Sequence, residues 1–145
     1  RVRGNPWNMT VLVVAGSNRG VTHQVAQVIA ESLGTRDIEV TLGGSSDLDR
    51  VAEFEAIIIG SEAESGKWPA ATGDLCRRYA DALIQQQVWL FSAPVEENSA
   101  IRGEVEVPEL LAALAARDHK YFPTSDADEV MTWTSLIADE LEGNS

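Results

Sequence analysis

The sequence predicts an α/β fold, a three-layer sandwich in which a five-stranded parallel sheet of order 2-1-3-4-5 lies between two layers of helices. Three observations carry that expectation. Strand-like and helix-like segments alternate along the chain, the pattern of a sheet built from crossover units. Residues 10–15 (TVLVVA), 56–59 (AIII) and 88–91 (VWLF) are almost wholly apolar, as strands covered on both faces must be. Two other runs mix polar and apolar side chains and so suit the edges: Ile38, Val40 and Leu42 interleaved with Glu39 and Thr41, and residues 119–122 (HKYF). With those two at the edges and right-handed crossovers, 2-1-3-4-5 is the simplest order.

Each helix has its own signature. Val21, Val25, Val28 and Ile29 mark one face of the first, and Leu75, Tyr79, Leu83 and Ile84 mark the second. Residues 43–54 (GGSSDLDRVAEF) leave room for only a very short crossover helix between strands two and three. Residues 107–116 (VPELLAALAA) read as a short helix because Pro108 falls at an early position, where the missing N–H is tolerated. Val130, Trp133, Ile137 and Leu141 mark the last helix, capped by Ser125 ahead of Asp128 or by Asp126 ahead of Glu129. Trp89 and Trp133 fall at core spacings. Residues 9–145 form one domain with no internal repeat, and residues 1–8 (RVRGNPWN), broken by Gly4 and Pro6, read as a flexible leader or expression remnant from which Trp7 could dock on the body.

Charge narrows the partners. Lys and Arg total 11 against 23 Asp and Glu, a net charge of −12, which disfavours nucleic acid and anionic membrane surfaces and favours basic proteins or cationic ligands. A lone Cys76 cannot form an internal disulfide and suits a reducing compartment. No apolar run approaches the ~20 residues of a membrane span and no signal peptide precedes the first strand, so a soluble, cytoplasmic protein is expected, with no integral membrane segment.

The loop after strand one, residues 16–22 (GSNRGVT), carries the chemistry. In an open parallel sheet, ligands bind beyond the carboxyl ends of the strands where the order reverses, here beside strands one and three. The loop offers hydroxyls from Ser17 and Thr22, the Asn18 amide, the Arg19 guanidinium and the backbone N–H groups that open a helix near Gly20 and Val21. Together with the helix dipole, worth roughly 0.3–2 kcal/mol, these suit a phosphate. A dinucleotide loop would need glycine at Asn18 and Val21, a Walker A loop Gly-Lys at Val21 and Thr22, and a nucleophile elbow on Ser17 glycine at Ala15 and Arg19. A phosphate-accepting receiver domain would need an aspartate at the end of strand three, where Gly60 and Ser61 stand. A mononucleotide phosphate is what remains.

The chain resembles the flavodoxin family, whose phosphate loop reads Thr/Ser-x-Thr-Gly-x-Thr. Ser17, Gly20 and Thr22 match the first, fourth and sixth places, and Arg19 replaces a hydroxyl. It is further similar to the flavodoxin-domain proteins that look like menaquinone-dependent protoporphyrinogen oxidase, through residues 60–68 (GSEAESGKW), 88–92 (VWLFS) and 116–119 (ARDH). The resemblance spans residues 9–141 and implies a flavodoxin-like sandwich that binds FMN and moves electrons or oxidises a substrate. A redox partner protein or a quinone-linked acceptor would take the electrons.

By that resemblance the FMN phosphate would sit on Ser17, Asn18, Arg19, Gly20, Val21 and Thr22. The isoalloxazine would lie between a loop contributing Glu62, Ala63, Glu64, Ser65, Gly66 and Trp68 and a loop contributing Ser92, Ala93, Pro94 and Asn98. Trp68 is the single aromatic offered for stacking. Glu62, Glu64, Glu96 and Glu97 would crowd the ring, and like charges a few ångströms apart cost about 1 kcal/mol or more, so the last reduction step is expected at a potential below that of free FMN. No catalytic residue and no metal ligand set stands out: His23 reads as a surface residue, His119 as structural and distant from the pocket, and Asp47, Asp49, Asp126 and Asp128 as helix caps without calcium-loop spacing. In an enzyme of this kind the flavin performs the chemistry. The alternative is a flavodoxin-fold protein without FMN, serving as an acidic protein-interaction module.

Overall fold

The structure, a computed structural model, describes residues 9–96 and 102–143. In chain order its elements are β1 (Thr10–Ala15), α1 (Gly20–Gly34), β2 (Glu39–Gly43), a 3-10 helix (Ser45–Glu53), β3 (Ala56–Ala63), β4 (Lys67–Trp68), α2 (Ala70–Arg78), α3 (Ala80–Leu83), β5 (Gln87–Pro94), β6 (Val105–Glu106), α4 (Val107–Leu114), β7 (Asp118–Tyr121) and α5 (Ala127–Gly143). Five strands pair in parallel in the order β2-β1-β3-β5-β7. The remaining two, β4 and β6, form a separate antiparallel ribbon. Strands four and five of the sequence reading are therefore β5 and β7, and the sheet order is the one the sequence predicts.

Alternation along each strand divides the core between two faces. On one, Val11 and Val13 pack with Val25, Ile29, Trp133 and Ile137 under α1 and α5. On the other, Leu12, Val14, Ile57 and Ile59 pack with Leu48, Trp68, Cys76, Leu83 and Leu110 under the 3-10 helix, α2, α3 and α4. Edge-to-face rings knit the first face, Phe91 to Phe122 at 6.2 Å and Phe122 to Trp133 at 5.6 Å, and the Trp133 indole N–H donates to Asp118 Oδ2 at 3.1 Å. Burial pushes the Cys76 thiol up to about 12, so its reactive thiolate is suppressed.

Several details refine the sequence reading, and some depart from it. The second helix breaks at Tyr79 (φ −103°, ψ 17°) into α2 and α3, and Ile84, the C-cap of α3, is exposed rather than on the buried face. The last helix is capped by Asp126, whose Oδ1 accepts the Asp128 N–H at 2.9 Å, while Ser125 donates to Gln24 Oε1 across to α1. Asp47 caps the 3-10 helix by accepting the Gly44 N–H at 3.0 Å. The β4–β6 ribbon was not expected, because two-residue strands carry no readable period. It is started by a tight turn in which Glu64 and Lys67 exchange both backbone hydrogen bonds (2.9 and 3.0 Å) around Ser65 (φ 53°) and Gly66 (φ 77°). Two consecutive positive φ values are the signature of a type I′ hairpin turn, for which Gly66 is well suited.

Candidate phosphate and flavin site

The loop of residues 16–19 leaves β1 at the carboxyl edge of the sheet. Gly16 prolongs the strand by donating its N–H to Gly60 O at 2.8 Å. Ser17 then turns the chain locally, its Oγ donating to Arg19 O at 3.1 Å and accepting the Arg19 N–H at 3.4 Å. This hydroxyl shapes the loop. Arg19 is extended (φ −153°, ψ 173°) and Gly20 takes φ +74°, a conformation costly for any residue with a Cβ, to enter α1. No side chain caps α1, and its first turn holds no acidic residue, so its opening N–H groups lack their usual intramolecular acceptor.

Thr22 is the informative residue. It is 1 % exposed, and its Oγ1 is the one buried side-chain polar atom without a hydrogen-bond partner among the described residues. Leaving a buried hydroxyl unpaired costs about 1–3 kcal/mol. An acceptor placed at the first turn of α1 would satisfy it and the uncapped N–H groups together.

Around this loop lies a cleft of about 440 Å³ lined by Ala15, Gly16, Ser17, Asn18, Arg19, Ser45, Glu62 and Glu96. The structure thus brings Ser17, Asn18 and Arg19 together with Glu62 and adds Glu96 from the loop after β5. Glu62 is 5 % exposed and its Oε2 accepts the Glu96 N–H at 2.8 Å, so a buried carboxylate fixes the start of that loop. Glu64 is exposed and turns elsewhere, its Oε1 accepting the Gly103 N–H at 3.2 Å. Ala63 is half-buried at the end of β3, and Ser65 and Gly66 form the exposed hairpin tip. Asn98 and Glu97 lie outside the described residues, as do residues 1–8.

Trp68 is a correction to the stacking role. The indole is wholly buried in the core on the α2–α4 face and its Nε1–H donates to Ser92 Oγ at 2.8 Å, so it presents no face to a planar ligand. Trp68 is carried by β4 itself, and its pairing opposite Val105 in the β4–β6 ribbon goes with an indole turned into the core. Ser92 and Ala93 are buried as well, and Pro94 is half-buried. Tyr121, which the sequence reading left without a role, ends β7 in register with Ser92 and is the aromatic that stands clearly exposed among the described residues.

His119 is also closer to this end of the sheet than expected, because its side chain reaches along β5 and its Nε2 lies 2.7 Å from Ser92 Oγ. The three side chains form one chain of hydrogen bonds. Trp68 can only donate, so Ser92 accepts from it and directs its own proton to His119, which requires the tautomer protonated on Nδ1. Protonation of Nε2 would reverse that bond and leave the buried Ser92 proton without an acceptor. Burial holds the His119 pKa below the ordinary histidine value, with Asp118 pulling weakly upward. A folded-state pKa below the unfolded one means that the native state binds fewer protons, so this contribution is complete above pH ~6.5 and is lost as pH falls through the histidine range. Urea midpoints should therefore decline between pH 7.5 and 5.5, and His119→Gln should flatten that decline; an unchanged slope in the variant would refute the assignment.

The arrangement defines a class: a doubly wound parallel sheet with a cleft and an uncapped helix amino end at its switch point. A model of the flavodoxin domain matches residues 12–122, and the chain belongs to that family. No curated protein matches it. Among solved structures it is similar to a flavodoxin from the domain Archaea (TM-score 0.73, 19 % identity, 92 % of this chain and 99 % of that one) and to a mutant of the flavodoxin from Pseudomonas aeruginosa (0.68, 19 %, 92 % and 99 %). It is also similar to the rubredoxin oxygen:oxidoreductase of Desulfovibrio gigas (0.61, 16 %), covering 94 % of this chain but 36 % of that one. At these identities the likeness speaks for the fold. Among the described residues no helix is long and apolar enough to cross a membrane, and no group of three His, Cys, Asp or Glu could hold a metal ion.

Proposed function

We infer that this chain binds FMN, with its phosphate at the amino end of α1, and acts in electron transfer. The single observation that carries this reading is the uncapped first turn of α1 with the unpaired, buried Thr22 hydroxyl in it. The donors fit a dianion: N–H groups with the positive end of a helix dipole behind them, one free hydroxyl, the Gly20 cradle and the exposed Arg19 guanidinium. FMN, when bound, supplies the electron chemistry. The chain supplies position through the Gly66 hairpin and the start of the loop after β5, and a field of negative charge from Glu62 and Glu96, which favours a low potential for the last reduction step. Tyr121 is the candidate to cover the ring in place of Trp68. The net charge of −12 steers the protein toward a basic redox partner or a quinone-linked acceptor in a soluble, cytoplasmic setting. Oxidation of a substrate in the manner of the protoporphyrinogen-oxidase-like proteins draws support from the order of sequence motifs alone.

Two observations favour a second reading, a cofactor-free interaction module: the burial of Trp68 and the carboxylate of Glu96 beside the phosphate loop. Titration of the purified protein into FMN separates the two by fluorescence quenching. Saturable binding is expected, weakened about tenfold by Thr22→Val, which removes one hydrogen bond to a charged group; no binding at millimolar FMN would favour the module.

A further inference from the structure

The amino end of α1 already has an anionic neighbour. A Cβ built on Gly20 would stand 2.6 Å from Glu96 Cδ and 2.7 Å from its Oε2, so the carboxylate lies directly against the first residue of the helix. This residue comes from a different loop and is held there by the backbone: the Glu96 N–H donates to Oε2 of the buried Glu62 carboxylate at 2.8 Å. A carboxylate and a phosphate are both oxygen acceptors that a helix amino terminus attracts. They cannot share this place, since a dianion brought against a carboxylate in a partly enclosed cleft is repelled, and among the described residues lining the cleft Arg19 is the one positive charge against Glu62 and Glu96. Thr22 Oγ1 remains unpaired with Glu96 in position, so the carboxylate fills the niche only in part.

We propose that Glu96 is an internal competitor for the phosphate niche, so that a phosphate-bearing ligand binds only when the Glu96 side chain swings away from Gly20, with Glu62 holding the backbone from which it swings. This rests on the FMN reading for its natural ligand, but the competition itself concerns any phosphate. The device tunes affinity without altering the donors that recognise the ligand.

The test compares wild-type protein with Glu96→Gln, which keeps shape and removes charge, using FMN and riboflavin by fluorescence quenching and inorganic phosphate by thermal melting. The expected result is FMN binding about tenfold tighter in the variant with riboflavin unchanged, and a larger phosphate-induced rise in melting temperature. FMN binding equal in the two proteins overturns the proposal and leaves the FMN reading standing. If neither binds FMN but phosphate stabilises the variant more than the wild type, the FMN reading fails and the competition stands. If neither responds to FMN or to phosphate, both fall. Should Glu96→Gln not fold, Glu96→Ala, which removes the Cγ and the carboxylate that lie against Gly20, is read by the same measurements.

Discussion

Replacing Trp68 with alanine is expected to cost about 3–5 kcal/mol of unfolding free energy, the range for removing a fully buried large aromatic. The indole is 0 % exposed and is among the largest wholly buried side chains of the described residues. Its loss opens a cavity beneath the β4–β6 ribbon and also takes away the donor on which Ser92 depends. Trp68→Phe separates the two contributions: most of the packing returns, and the missing N–H leaves a residual of about 1–2 kcal/mol. Urea denaturation reads both. A cost below about 1 kcal/mol for the alanine variant would mean that the indole is outside the core and free to meet a ligand.

Gly60→Ala is the second large effect. A Cβ at position 60 would stand 1.9 Å from Phe91 Cζ and 2.3 Å from both Cε atoms, a distance no packing tolerates. The ring cannot simply retreat, because Phe91 is wholly buried and meets Phe122 edge to face. Overpacking of this kind costs typically 1–3 kcal/mol and sometimes more. Because Gly60 O also accepts the Gly16 N–H at 2.8 Å, the disturbance reaches the phosphate loop, and FMN binding should weaken together with stability. Phe91→Leu in the same chain should restore part of the loss. Simple additivity of the two substitutions would contradict the steric account.

The strands were legible because their burial is written as uninterrupted apolar runs, and the sheet order followed from two runs whose polar alternation fits an edge. The faces of α1 and α5 were legible for the same reason, since Val25, Ile29, Val130, Trp133, Ile137 and Leu141 are all buried where the helical period places them. The cleft beside residues 16–19 was legible as a place, because the switch point beyond β1 and β3 follows from the topology. What the period could not convey were contacts set by loops meeting in space. Glu96 reaches Gly20 only because β1 and β5 both end at the same edge of the sheet, and nothing in either loop signals the other. Trp68 is flanked by Lys67 and Pro69, a context that hides a core residue, and its burial depends on a ribbon of two-residue strands. His119 followed the same logic: its place in an edge strand was read from sequence, but its reach to Ser92 depends on the register of β7 on β5, where His119 lies opposite Leu90.

The central claim is that the amino end of α1 holds the phosphate of the ligand. The most direct measurement compares the affinities of FMN and riboflavin, which differ by that phosphate alone, at fixed ionic strength. The account predicts FMN binding at least about a hundredfold tighter, the combined worth of two or more charge-assisted hydrogen bonds and the helix dipole. Equal affinities would contradict it and show that whatever grips the flavin lies away from the loop at Gly20.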